Sequence, residues 1–349
     1  MRNAMQLKVR NFFIRLRSWE YWPFAVVQFP LMLYWLWLSV KARSILFFSA
    51  SNPHITMGGM FGESKYEVLM QLPEGLRPKT VFVNHPTNVE EIIETMEEAG
   101  LRFPVIFKPD YGERGFMVKR IFSATDVGPY LEKVNCNFLV QEWIDLPVEC
   151  GVFYTRFPNE DKGRVTSIVL KAMLDVVGDG KSTLQELILA KNRATLQWDR
   201  LREIHAFRLQ EVIKVNERVE LNSIGNHCLG TKFLNGNHLI SERLSETFDR
   251  ISKQMGEFYF GRFDLRCASY EDLEQGKVKI LEVNGCGAEP AHIYQPGFSL
   301  LNAYHILFSH WNNLYRISIQ NHKRGVPYTS LKDGWVNLKN FKQAMKINS

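Results

Sequence analysis

Lys108 closes the apolar run VIFKP and is followed at once by Tyr111-Gly112-Glu113-Arg114-Gly115. A lysine fixed on a strand sets a point charge at a defined depth. The glycines after it let backbone N–H groups turn inward, one way a chain cradles polyphosphate. Far along the chain, FGRFDLR (260–266) and KILEVNG (279–285) carry Arg262, Asp264, Glu282 and Asn284. Side chains two apart on a strand share a face, so Arg262 pairs with Asp264 and Glu282 with Asn284. Magnesium takes hard oxygen donors, few of them protein carboxylates, and fills its octahedron with phosphate oxygens. An Asp on one strand and a Glu-x-Asn on its neighbour suit it. Inward-facing carboxylates are costly unless cations compensate them. Arg262 could stabilise charge on a transferring phosphoryl group or an oxyanion.

The run FLVQEWI places Gln141 and Glu142 at a strand end beside Trp143 and Ile144. Groups there can read a purine edge while apolar neighbours sandwich the ring. Glu149, one short loop on, is placed to accept from a ribose hydroxyl. The sum is a site for ATP and a divalent cation that activates a carboxylate.

These residues need strands and helices to hold them. KTVFV, VIFKP, FMVKRIF and FLVQEWI read as strands, the second and third as a hairpin. GVFYTRF and RVTSIVLKAML alternate as an antiparallel pair does. Short helices are predicted over Glu63–Leu72, Thr87–Gly100, Thr125–Val134 and Ser182–Asn192, the last with a Thr183/Glu186 capping box. A helix over 241–259 precedes the two metal-type strands. An aromatic-rich helix over 298–319 precedes a basic tail. Residues 44–62 read as a loop rich in Ser, Asn and Gly. Neither a repeat nor a low-complexity stretch is present.

The N-terminus is unlike the rest. Residues 1–17 hold Arg2, Lys8, Arg10, Arg15 and Arg17 with no acid, ahead of YWPFAVVQFPLMLYWLWLSV (21–40). Twenty helical residues just cross a bilayer core of roughly 30 Å. A cleaved signal is a poor reading, because the run is long, aromatic and lacks a small-residue cleavage site. Pro23 and Pro30 interrupt it, and a span would export the most basic arm, against the positive-inside tendency. An interfacial anchor with Trp22, Tyr34, Trp35 and Trp37 at headgroup depth fits better. A true span and a buried helix pair in a soluble fold remain open alternatives.

Net charge is a mild +6, with basic residues concentrated near both ends. That favours an anionic membrane surface over a nucleic-acid groove, so no nucleic-acid partner is expected. The five cysteines are odd in number and none has CxxC spacing, which disfavours a disulfide framework or a zinc site and fits a reducing cytosol.

The order of lysine strand, glycine loop, adenine strand, Arg-x-Asp and Glu-x-Asn resembles the ATP-grasp superfamily, the D-alanine–D-alanine ligase branch above all. The resemblance covers roughly 58–300. It implies two lysines on the ATP phosphates, matched by Lys65 in GESKYEVL and by Lys108 with its loop, Gly112 and Gly115 included. It also implies adenine- and ribose-side acids at Glu142 and Glu149, beside Gln141, and a further nucleotide-contacting lysine at Lys171. Asp264, Glu282 and Asn284 match the ligands of magnesium or manganese, and Arg262 the catalytic arginine. DVVGDGKSTLQELILAKN (175–192) is similar to a stretch of cyanophycin synthetase and of bifunctional glutathione synthetases. RVELNSIGNHCLGTKF resembles the acceptor-side loop that follows it, which brings in Ser223, Asn226 and His227 as substrate residues. The chain departs from the ligases in two ways. It has only 64 residues before Lys65, and its post-Asn loop is GCGAEP, with Cys286 and Glu289. D-alanine is therefore not expected as substrate, and Cys286 is expected to pack, not react.

The implied architecture is α+β: an ATP-grasp fold of two α+β subdomains clasping ATP over 58–320, behind a basic, hydrophobic, membrane-associating segment 1–57 and ahead of a basic tail 321–349. The implied activity is ATP-dependent ligation of a carboxylate to an amine or thiol through an acylphosphate. Its partners would be small-molecule or lipid-linked substrates at the cytoplasmic membrane face. A non-catalytic, membrane-docked ATP-binding regulator is the alternative.

Overall fold

The computed structural model describes residues 2–112, 115–222 and 225–347. Two helices, α1 (Arg2–Arg17) and α2 (Phe24–Ala42), come first. There follow α3 (Lys65–Met70), β1 (Thr80–Val83), α4 (Val89–Glu98), β2 (Val105–Pro109), β3 (Lys119–Ile121), α5 (Val127–Leu131) and β4 (Phe138–Glu142). The four strands form an antiparallel sheet in the order β1-β4-β2-β3. Val105, Phe107, Phe138 and Val140 bury one face of it against Ile92 and Met96 of α4 and Val127 and Tyr130 of α5.

The chain continues through β5 (Val148–Thr155), β6 (Arg164–Ala172), β7 (Asp175–Val177), α6 (Leu184–Ala190), α7 (Asn192–Thr195), α8 (Trp198–Ile204), β8 (Arg218–Glu220), β9 (Lys232–Asn235) and α9 (Glu242–Gln254). It then forms β10 (Phe260–Cys267), α10 (Tyr270–Gln275), β11 (Val278–Asn284), α11 (Leu300–Lys323) and α12 (Leu331–Ile347). The second sheet runs β11-β10-β5-β6-β9, all antiparallel, and β7 and β8 make a separate ribbon. Leu244, Phe248 and Ile251 of α9 fill its apolar face with Val152, Phe263, Leu265 and Ile280. The Thr183/Glu186 capping box forms as predicted. The class is α+β.

The expected loop 44–62 is buried structure. Phe47 and Phe48 sit in the core with Phe153, Tyr259 and Phe260. Asn52 is fully buried and uses all its capacity. Its amide donates to the carbonyls of Gly58 (2.9 Å) and Phe260 (2.8 Å), and its oxygen accepts from the N–H groups of Tyr259 (2.9 Å) and Phe260 (3.0 Å). This one side chain staples the segment to the start of β10.

Pro30 does not break the hydrophobic run, because α2 passes through it, with Pro23 at the cap. Val27, Leu31, Leu38 and Ala42 face inward on α11 and its surroundings, while Phe29, Leu33, Leu36, Trp37 and Val40 lie exposed. Tyr34 and Trp35 pack inward, so of the four aromatic side chains placed at headgroup depth they are not free to reach it. The basic arm is also docked. Arg10 donates to the Leu189 carbonyl (2.7 Å) and to Asn192 (2.6 Å). The described part of the expected tail, 321–347, holds the end of α11 and the helix α12, whose Phe341 ring lies 6.3 Å from Phe61.

Candidate functional site

The antiparallel register of β10 and β11 sets Arg262 opposite Asn284 and Asp264 opposite Glu282, with an irregularity just after Asp264. Their alternate neighbours Phe263, Leu265 and Val283 point into the core, so the four polar side chains share the other face. Arg262 grips Asp264 with a two-pronged fork, Nε to Oδ1 at 2.9 Å and Nη2 to Oδ2 at 3.0 Å. The Asn284 amide donates to Asp264 Oδ2 at 3.3 Å, and Lys171 Nζ of β6 stands 3.7 Å from Oδ1. Burial alone would raise the Asp264 carboxyl, but Arg262 and Lys171 outweigh it and hold it below the usual range. Gly151, opposite Asp264 on β5, makes room, since a Cβ there would lie 2.8 Å from Asp264 Oδ1 and 3.0 Å from Arg262 Cδ.

Glu149 stands opposite Arg266 in the β5–β10 register and is held by its fork at 2.9 and 2.7 Å, with Lys171 at 3.4 Å. Lys171 is therefore raised despite its burial, which pulls the other way, by Asp264 and Glu149.

The two phosphate-type lysines come from the first sheet and its helix. Asp110, which follows Pro109, makes this possible. Its carbonyl accepts from Lys65 N–H, and its carboxylate accepts from Ser64 Oγ and Tyr66 N–H, both at 2.9 Å. That clamp ties the start of α3 to the end of β2. Lys65 Nζ then donates to the Gly112 carbonyl and lies 3.8 Å from Glu282. Lys108 Nζ crosses to the second sheet, donating to Gln141 Oε1 at 3.0 Å and to the Leu281 carbonyl at 3.1 Å. Burial, opposed by Glu282, depresses its ammonium to about 8. Gly112 and Gly115 have φ of +154° and +73°, a region that disfavours any Cβ. Glu113 and Arg114 lie outside the described residues.

The structure thus brings together Lys65, Lys108, Gly112, Gln141, Glu149, Lys171, Arg262, Asp264, Glu282 and Asn284. Glu142 is apart, accepting from the Lys79 N–H at 3.0 Å. Asn226 caps a short turn by accepting from Cys228 N–H at 2.8 Å. His227 bonds Glu20 at 2.8 Å, a carboxylate that Arg193 also holds at 2.8 Å, and packs among Tyr21, Phe233 and Tyr294. Burial lowers its imidazole, but hydrogen bonds from the Cys228 and Glu20 side leave it raised. Ser223 lies outside the described residues. Their loop still reaches the cluster, because a Cβ on Gly225 would collide with Glu149. Cys286 is buried and its thiol is pushed up to about 12, so it packs as expected.

Three residues escaped the sequence reading: Asp110, Gly151 and Arg266. An acid directly after Lys-Pro was the available signal for the first. The other two depend on strand register.

Among the described residues no group of three or more His, Cys, Asp or Glu side chains could hold a metal by itself. Asp264, Glu282 and Asn284 offer two carboxylates and an amide from registered positions. That donor set fits magnesium or manganese only if phosphate oxygens complete it.

No family model and no curated protein matches the chain. Solved structures similar to it include a bifunctional glutathione synthetase from Pasteurella multocida, at 17% identity and TM-score 0.36, with 70% of this chain and 36% of that one covered. The chain thus spans about a third of that enzyme's length. A D-alanine–D-alanine ligase from Bacillus anthracis complexed with ATP is similar at 14% identity and TM-score 0.43, covering 78% and 71%. An ATP-grasp ligase complexed with a minimal precursor is similar at 12% and 0.36, covering 72% and 60%.

Proposed function

We propose that this chain is an ATP-grasp ligase that joins a carboxylate to an amine through an acylphosphate, at the cytoplasmic face of a membrane. The observation that carries the reading is Lys108. The residue is only 7% exposed, yet both hydrogen bonds of its ammonium go to neutral acceptors. Around it Lys65, Lys171, Arg262 and Arg266 are balanced by Asp110, Glu149, Asp264, Glu282 and Glu289, yet none of these carboxylates bonds Lys108. A buried ammonium that bonds no anion is costly, and a polyphosphate would supply one. On this reading the base would rest toward Gln141, while Glu149 holds Arg266 and Lys171 in place.

Lys65 and Lys108 hold the phosphates, and the Gly112–Gly115 loop covers them. A carboxylate oxygen attacks the γ-phosphorus and the bond to the β–γ bridging oxygen breaks, releasing ADP. Asp264, Glu282 and Asn284 would hold magnesium, which neutralises phosphate oxygens. The amine, having lost one proton to solvent, attacks the acyl carbon, the carbon–oxygen bond to the phosphoryl group breaks, and phosphate leaves, taking up the second proton that the nitrogen loses. Arg262 sets its charge beside the reacting groups. Positioning and shielding carry most of the rate.

Support for the membrane face is the exposed apolar flank of α1 and α2, from Phe12, Phe13 and Leu16 to Phe29, Leu33, Leu36 and Val40, among basic residues.

Purified protein is expected to release phosphate from ATP only with a matching carboxylate and amine, found by screening pairs with mass-spectrometric readout. Glu282→Gln should cut that release at least about tenfold, roughly 1.4 kcal/mol. ATP binding with no release for any pair would leave the non-catalytic reading, and full turnover in the variant would remove Glu282 from the site.

A further inference from the structure

We infer that Glu289 receives the ammonium of the amine substrate, which gives the ligase reading above a specific acceptor subsite. Glu289 stands in the loop after Asn284, and its carbonyl accepts from Arg262 Nη1 at 3.3 Å. Its backbone is thereby tied to Arg262. Gln28 Nε2 donates to Oε1 at 2.6 Å and the Tyr294 hydroxyl donates to Oε2. Both donors are neutral; Arg262 acts on the carboxylate from a distance, and no Lys, Arg or His among the described residues forms an ion pair with it within 4.0 Å. An ionised carboxylate has about four acceptor sites, so room is left for a charged donor. The side chain is partly exposed and open to a ligand.

The surroundings select the kind of amine. The Tyr294 ring lies 5.5 Å from Trp19 and 5.6 Å from His227. Aromatic faces attract an ammonium and tolerate an apolar stem. Trp19 and Gln28 come from the N-terminal segment, and the far side of α2 is the exposed apolar flank. The acceptor is thus a primary ammonium on an apolar stem, supplied either by a soluble amphiphile or by a lipid headgroup.

The test uses the full chain with a non-hydrolysable ATP analogue and magnesium. Calorimetry should show n-octylammonium binding to wild type, at least tenfold weaker binding to Glu289→Gln, and n-octanol binding neither. In parallel, vesicles with ethanolamine or choline headgroups at equal anionic content report the lipid source. Preference for ethanolamine, lost in the variant, marks a lipid acceptor; octylammonium binding alone marks a soluble one. Glu289→Gln binding octylammonium like wild type, or wild type showing neither preference, overturns the inference. Affinity for the ATP analogue is read separately, so its absence in wild type sinks the ligase reading, not the amine subsite. Should Glu289→Gln not fold, Glu289→Asp must keep the preference for octylammonium over octanol, and its loss there is equally fatal.

Discussion

Lys108 and Glu289 face the same problem with opposite sign. One is an ammonium held by neutral acceptors, the other a carboxylate held by neutral donors. They differ in what builds their surroundings. Lys108 sits where two sheets meet, and both partners stand on strands: Gln141 on β4, and the carbonyl of Leu281 at the irregularity of β11. Glu289 sits in a loop, and its Gln28 partner comes from a helix at the far end of the chain. Register is rigid and hard to vary without disturbing a whole ladder. A loop and a docked helix can change while the ladder stays. On the proposed reading the strands would carry the chemistry and the N-terminal segment the choice of acceptor.

The comparison breaks most sharply at Lys108. Lys108→Ala removes a charge-assisted contact to phosphate, about 1.5–3 kcal/mol. ATP affinity should fall by roughly one to two orders of magnitude, while adenosine binding stays near wild type. Calorimetry that finds both ligands weakened equally would move Lys108 away from the phosphates.

At the N-terminal side the matching change is on the exposed apolar flank of α2. Leu33 and Leu36 are 53% and 42% exposed, so Leu33→Glu with Leu36→Glu should leave the fold intact. Flotation with anionic liposomes should drop severalfold, because each change removes apolar insertion and adds a repelled charge. Salt should release wild type only in part, since screening weakens the charge term alone. Removing everything before residue 44 is a poorer test: Leu31 and Leu38 are buried and their loss would open the core. Undiminished flotation of the double variant would make α2 an ordinary packing helix.

Much of the strand-borne half was legible in the sequence, and the reason is local. Period-two alternation put Arg262 with Asp264 and Glu282 with Asn284 before any partner was known. The glycines after Lys108 marked a turn by their own backbone freedom. What stayed hidden depends on pairing between distant segments. Glu149 looked free for a ribose until the β5–β10 register set Arg266 across from it. His227 read as a loop residue because Glu20, its partner, lies at the other end of the chain. Polar composition made 44–62 look like a loop, yet the four bonds of Asn52 bury it. Pro30 read as a break because local rules cannot see that packing on α11 holds α2 together through it.

A last expected effect is on stability, and it isolates Lys108 without any ligand. Burial lowers its folded ammonium to about 8 from 10.5 in the open chain. Below pH 8 both states carry the proton, and the cost of the buried charge is present in full. Between 8 and 10.5 the unfolded chain binds the proton and the folded protein does not, so stability rises with pH, by at most about 1.4 kcal/mol per pH unit for one proton. Nucleotide phosphate should cancel this by pulling the proton back. Denaturant melts of apo protein between pH 7 and 9.5 should therefore show a rising contribution that Lys108→Met lacks, since a methionine of similar length carries no charge. Saturating ATP should flatten the wild-type curve toward that of the variant. Parallel slopes for wild type and Lys108→Met would mean that Lys108 titrates like an exposed lysine. The buried ammonium bonded only to neutral groups, and with it the contrast to Glu289, would then be lost.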